Sequence, residues 1–476
     1  MNAFLSVILS DKPNSASRNF IVSAIFWLVF AASVGFIASL QFSAPDAISG
    51  VAQLSFGRIR AVHVNDILIG WLSMAYIGCF FYVIPNLSKR EGLWSERLGN
   101  ITLLAWNFIL VWGTYGLMNG DTEGREYAEL AGTVYLWGTS VQLIDWLVVA
   151  GILMMGINLW MTVATGREKH WYVSIWYILG SCFWFPILYI IGNRAFVHLD
   201  GLNDAIAGWF YGHNILGMWF TVGGIGILYY LIPRYTGNPL YSHTLSMIGF
   251  WTIAMFYAPT GTHHILQSPV PEWLKSVAVI SSVFLLVPVL TVLTNFFMTL
   301  KGKWSLVADH IPLRFALVAG INYLLTCMQG PFQATRFINW YLHFSQWVVG
   351  HAHLALLGTF TFISFSGIYY IIPKVTGRKM FSKRLAVWHF WLTLYGVIIM
   401  ILSLTIAGLV QAAGWHHGVP VDQWVLELEP YWIIRSISGI LIVLGQMFFM
   451  FNIYKTVFSP KDCEELPYSP SGLLYV

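Results

Sequence analysis

The chain has 476 residues, of which 57% are hydrophobic, 17% aromatic and only 10% charged. Soluble globular chains carry about a quarter charged residues, so this composition excludes an ordinary soluble enzyme and a disordered chain and points to an integral membrane protein. The net charge of +4 is too small and too dispersed to build a phosphate-binding surface, so no nucleic acid partner is expected. Cys79, Cys182, Cys327 and Cys463 stand far apart without a C-x-x-C or C-x-x-C-H motif, which leaves no disulfide framework, zinc cluster or covalently attached c-type haem.

In chain order, a polar arm over residues 1–18 shows no cleavable signal pattern. Apolar runs long enough to cross a bilayer then follow near 20–40, 61–85, 99–118, 140–163, 171–192, 204–233, 244–265, 276–299, 314–328, 338–373, 385–410 and 431–454. The expectation is an all-α integral membrane protein, a single membrane domain over residues 1–476 with twelve transmembrane helices and a tail over 455–476. Lys and Arg gather in the arm, the even loops and the tail. The odd loops hold few, mainly Arg58, Arg60, Arg125, Arg194, Lys275 and Arg336. The positive-inside rule then places arm and tail in the cytoplasm, in a multi-pass protein of a bacterial-type inner membrane.

One phrase recurs at the ends of spans two, six and ten: Phe81-Tyr82-Val83-Ile84-Pro85, Tyr229-Tyr230-Leu231-Ile232-Pro233 and Tyr369-Tyr370-Ile371-Ile372-Pro373. A serine follows each at nearly the same distance (Ser95, Ser242, Ser382). Histidines precede each proline by 20 or 22 residues: His63, His213, and both His351 and His353. The chain therefore reads as three four-helix units, each presenting histidine at one depth of one helix.

Coordinating side chains inside a membrane are costly and mark function more often than packing, although a single hydrogen-bonded histidine is a common structural feature. Six histidines here converge on one layer: His63, His213, His263, His264, His351 and His353. Gly350-His351-Ala352-His353 puts two imidazoles about 200° apart on one helix, so they face opposite sides. One helix could thus serve two haems: one completed by His63 as a six-coordinate low-spin centre, the other with a single protein ligand and an open face. On a helix His263 and His264 would lie about 100° apart; with His213 they give three nitrogen donors and an open position, a set that suits copper.

The pattern resembles the catalytic subunit of the haem–copper oxidase superfamily, C-family, the cbb-type cytochrome c oxidases. The resemblance runs through Arg58-Ile59-Arg60-Ala61-Val62-His63, Trp209-Phe210-Tyr211-Gly212-His213-Asn214, His263-His264, Pro271-Glu272-Trp273, Gly350-His351-Ala352-His353 and Trp388-His389-Phe390. It implies a pseudo-threefold bundle holding two haem b groups and one copper. His63 and His353 would ligate the low-spin haem, His351 the high-spin haem, and His213, His263 and His264 the copper. Arg58, Arg60 and Arg435 are candidates for the haem propionates, and a c-type cytochrome subunit or soluble cytochrome c would donate electrons.

The chain departs from the family pattern at three places. The tyrosine that the resemblance puts three residues after the second histidine of the pair is Gln267, and the alternative position four residues after His213 is Gly217. Gln329 stands where the cbb-type pattern has glutamate. Reducing oxygen takes a redox-active tyrosine besides the metals, whereas joining two nitric oxide molecules takes only two electrons. These absences favour nitric oxide reduction to nitrous oxide, with Gln267 the residue that decides it. An oxygen reductase using another donor, such as Tyr257 or Trp251, is the alternative. A proton-relay transporter and a haem-binding paralogue without turnover are the readings from other classes. Thr252, Tyr257, Thr260 and Thr262 offer a hydroxyl ladder along span seven for protons.

Overall fold

The computed structural model describes residues 9–48, 50–122, 133–136, 139–193 and 199–465; Arg125 and Arg194 lie outside them. Among the described residues eleven helices are long and apolar enough to cross a membrane: Ser15–Ser43, Phe56–Leu87, Glu96–Asn119, Leu143–Ala164, Val173–Gly192, Gly201–Thr236, Glu272–Thr299, Ile311–Ala334, Gln346–Thr376, Lys383–His416 and Val421–Phe458. The twelfth crossing, seventh in chain order, is shorter than expected. Its α-helix His243–Tyr257 stops, and after Ala258 and Pro259 the chain continues as a tighter turn of 3-10 helix, Thr260–Ile265. Proline has no N–H to give and its ring clashes with the preceding turn, so a continuous helix over 244–265 is not available. The region 338–373 is divided too: a short helix Arg336–Leu342 ends at His343, Phe344 takes a positive φ of 69°, and Ser345 caps the start of span ten. A two-stranded antiparallel ribbon, Thr133–Leu136 with Thr139–Gln142, leads into span four.

Spans two, six and ten form the inner ring. In their most apolar windows 94%, 94% and 89% of residues are buried, against 39–56% in the other eight, whose outward residues meet lipid. Each inner helix changes geometry just past its histidine. Asp66–Leu72, Ile215–Thr221 and Leu354–Thr361 wind as wider π-type turns, which re-aim the histidine-bearing segment relative to the rest of the helix. In each, a hydroxyl donates to the carbonyl five residues back: Ser73 to Leu68 (2.7 Å), Thr221 to Leu216 (3.0 Å) and Thr359 to Leu354 (3.3 Å).

At the opposite ends of these helices the repeated phrase brings Tyr82, Tyr230 and Tyr370 around one axis, with ring centres 6.2–6.4 Å apart. The three serines do equivalent work. Each caps the following helix by accepting from the N–H three residues on, at Leu98, Leu245 and Leu385. Asn158, Asn295 and Asn452 then clasp these serines, each amide oxygen accepting the serine N–H and each amide nitrogen donating to the serine carbonyl, all at 2.8–3.1 Å. One turn on, Thr162, Thr299 and Thr456 accept the N–H of the residue before the serine. The pseudo-threefold bundle is thus written in side-chain bonds as well as helix order.

Candidate haem and metal centre

The π-type turns and the break at Pro259 bring the six histidines to one end of the inner ring. His63 and His353 face each other with ring centres 6.4 Å apart and planes within 18°. A metal between two imidazoles needs about 2 Å to each nitrogen and roughly 1 Å more to each ring centre, or about 6 Å in all. The spacing fits. Each ring also donates its Nδ1–H to a backbone carbonyl, His63 to Ala31 and His353 to Val349, both at 2.8 Å. That leaves both Nε2 lone pairs free for an axial metal. Gly35 is required here, because a Cβ at that position would overlap the His63 ring.

His351, two residues before His353, has its Nδ1 3.2 Å from Gln329 Oε1 on span nine. Its Nε2 is likewise left for a metal, on the other side of span ten. His213, His263 and His264 lie together, with one ligating nitrogen of each within 4.8 Å of the others. Thr260 Oγ1 donates to Tyr257 O (2.6 Å) and so accepts from His213 Nδ1 (2.7 Å). Ser282 Oγ donates to Ala278 O (2.7 Å) and accepts from His263 Nδ1 (2.8 Å). His264 is held by stacking on Trp209, 4.0 Å between centres and 7° between planes. On the 3-10 turn successive side chains diverge by about 120°, not the 100° of an α-helix, and both rings still reach His213. Three neutral imidazoles, two with their Nδ1 protons already committed, suit a copper ion.

The other expected residues divide. Arg435 sits with its guanidinium 5.0 Å from the Phe42 ring centre, and no carboxylate pairs with it among the described residues. Arg58 donates to Met118 O at 3.0 Å, and Arg60 is exposed. His343, in the turn between spans nine and ten, leaves its Nδ1 buried without a partner, 6.4 Å from His264 by ring centre. Burial holds its imidazole below the ordinary histidine range. An orphaned nitrogen and an unpaired guanidinium at this end fit the carboxylates of a haem edge.

Gln267 donates to Asn339 Oδ1 (2.9 Å), and Asn339 donates to His263 O (3.1 Å), so Gln267 braces the histidine turn from behind. Tyr257 occupies the critical place. Its ring fills the space beside Gly217, where a Cβ would collide with it, and its centre is 5.4 Å from that of His213. On a continuous helix Tyr257 and His263 would be about 240° apart; the break at Pro259 turns them to one side. Trp251, by contrast, is exposed on the outer surface, and the Thr252 hydroxyl is spent on Ile248 O and Gly249 O, which removes the first step of the hydroxyl ladder. One buried carboxyl escaped the sequence reading: Asp66, both of whose oxygens lie 3.0 Å from Thr114 Oγ1.

Residues 15–441 match the family described as Cytochrome C and Quinol oxidase polypeptide I. The chain is 28% identical over 480 residues to the Cbb3-type cytochrome c oxidase subunit CcoN1 of Stutzerimonas stutzeri, covering 98% of both chains. It is 29% identical to the cytochrome c oxidase subunit 1 homolog of Agrobacterium tumefaciens (92% of this chain, 82% of the relative) and 25% identical to a nitric oxide reductase polypeptide of S. stutzeri (93% and 95%). A cryo-EM structure of a haem–copper terminal oxidase dimer shares the fold with a TM-score of 0.76 at 16% identity, over 96% of this chain and 88% of that one. With the histidine layer, the threefold bundle and a match over most of its length, the chain belongs to the Cytochrome C and Quinol oxidase polypeptide I family, as a subunit I of the haem–copper oxidoreductases.

Proposed function

We propose that the chain is the catalytic subunit of a respiratory enzyme that reduces oxygen to water, taking electrons from a c-type cytochrome subunit or soluble cytochrome c. The observation that carries this is Tyr257 against Gly217 and beside His213. The bound haems and copper would supply electron transfer and a place for the gas; the chain supplies the rest. His63 and His353 would hold a low-spin haem b, His351 a high-spin haem b, and His213, His263 and His264 the copper, with Arg435 and His343 toward the propionates. Thr260 and Ser282 keep two copper ligands in the binding tautomer. A phenol next to a copper ligand can give up one electron and one proton, which is what four-electron reduction of oxygen asks beyond two metals. The bundle would sit in a bacterial-type inner membrane with arm and tail in the cytoplasm, as the loop charges suggest.

Nitric oxide reduction is the second reading. It rests on the absence of tyrosine at 267 and of any side chain at 217, and it needs no phenol. A side-by-side electrode assay with one reduced cytochrome donor separates the two. Oxygen turnover exceeding nitric oxide turnover is expected. The reverse order would return the chain to the nitric oxide reading.

A further inference from the structure

Spans nine and ten run antiparallel beside the candidate high-spin site and are tied twice. Gln329 Oε1 is 3.2 Å from His351 Nδ1, and Trp347 Nε1 donates to Gln333 Oε1 at 3.1 Å. Gln329 and Gln333 are one turn apart on span nine, as Trp347 and His351 are on span ten, so the two bonds act as parallel rungs that fix the rotation of span ten. The first rung has a definite polarity. If His351 Nε2 ligates a metal, the ring's only proton is on Nδ1, and only an acceptor can face it. The amide oxygen of Gln329 accepts; its NH2 group would not.

An acceptor behind a ligating histidine also tunes the metal. A carboxylate draws the Nδ1 proton toward itself and makes the imidazole a stronger electron donor. An amide oxygen is neutral and draws it far less. We propose that Gln329 is the positioning residue of the proximal imidazole, fixing His351 with Nε2 toward the iron while leaving it a neutral, comparatively weak axial ligand, so that the ferrous state of that haem is favoured over what a carboxylate at the same place would give. This rests on His351 being the ligand of the high-spin haem.

The test uses the purified holo-complex carrying Gln329→Glu or Gln329→Leu, and reads the iron–histidine stretching band of the ferrous high-spin haem by resonance Raman together with the midpoint potential of that haem. The band is expected to rise in the order Leu, Gln, Glu. The ferrous-to-ferric ratio at fixed potential should fall at least tenfold in Gln329→Glu, a shift of about 59 mV for one electron. The low-spin spectrum should not move in either variant, which a general loss of structure would not allow. A native band that neither substitution displaces overturns the proposal and leaves the ligand assignment standing. A Gln329→Glu band equal to the native one overturns the claim that neutrality matters. Absence of any such band in the native protein overturns both the assignment of His351 and the proposal.

Discussion

His63 and His353 present their Nε2 edges to each other across 6.4 Å, and each is held there by a 2.8 Å bond from its Nδ1 to a backbone carbonyl. Removing either imidazole should abolish a six-coordinate haem without touching the other centre. His63→Ala and His353→Ala are therefore expected to lose the low-spin spectrum and to retain high-spin haem. Gly35→Ala pushes a methyl into the His63 ring and should produce the same loss without altering a ligand. A normal low-spin spectrum in the glycine variant would place the haem elsewhere.

The copper histidines depend on the hydroxyls behind them. Thr260→Val and Ser282→Ala each leave an imidazole Nδ1–H buried without its acceptor, and outer partners of this kind are worth about 10–100-fold in metal affinity. Metal analysis after dialysis against graded chelator should show copper leaving these variants first, with haem content unchanged.

The asparagine clasps should act as one threefold set. Asn158→Ala, Asn295→Ala or Asn452→Ala leaves the backbone N–H and C=O of the matching serine unbonded, at about 1–3 kcal/mol for each group so stranded. Thermal unfolding in detergent should show comparable losses for all three. A large loss in one and none in the others would break the equivalence.

His310, between spans eight and nine, caps the next helix by accepting the Leu313 N–H on Nδ1 at 3.1 Å, which requires a neutral ring. Burial, with Lys383 adding to it, lowers its pKa from the ordinary 6.5 to about 4. The unfolded chain therefore takes the proton first as the pH falls. The cap's contribution should be complete above about pH 6.5 and should decline toward pH 4. His310→Asn keeps a capping oxygen and removes the titration, so its stability should vary less over that range than the native protein's.

Much of this was legible in the sequence because intramembrane chemistry is so sparsely coded. Twelve apolar runs, three prolines with matched serines and a layer of histidines are patterns that linear spacing preserves. The clasp partners were equally available, since Asn158 and Thr162, Asn295 and Thr299, and Asn452 and Thr456 share one spacing in spans four, eight and twelve. Tyr257 was not readable in its true role. Counting along span seven assumes a continuous helix, and Pro259 replaces that helix with a 3-10 turn of different pitch and direction. The space beside Gly217 and the tyrosine that fills it lie on different spans, 40 residues apart, and only the packing joins them. The weight placed on Gln267 had the same source, because its amide turns to Asn339 on a short helix that spacing had merged with span ten.

The most direct test of the oxygen reading is turnover of the purified complex before and after Tyr257→Phe, measured on oxygen and on nitric oxide with one reduced cytochrome donor. Phenylalanine keeps the ring that packs against Gly217 and removes only the hydroxyl. Oxygen turnover is expected to fall by about 100-fold or more, a loss of at least ~2.7 kcal/mol of transition-state stabilisation, while any nitric oxide turnover changes only a few-fold. Oxygen turnover that survives the substitution at the native rate would contradict the role given to Tyr257.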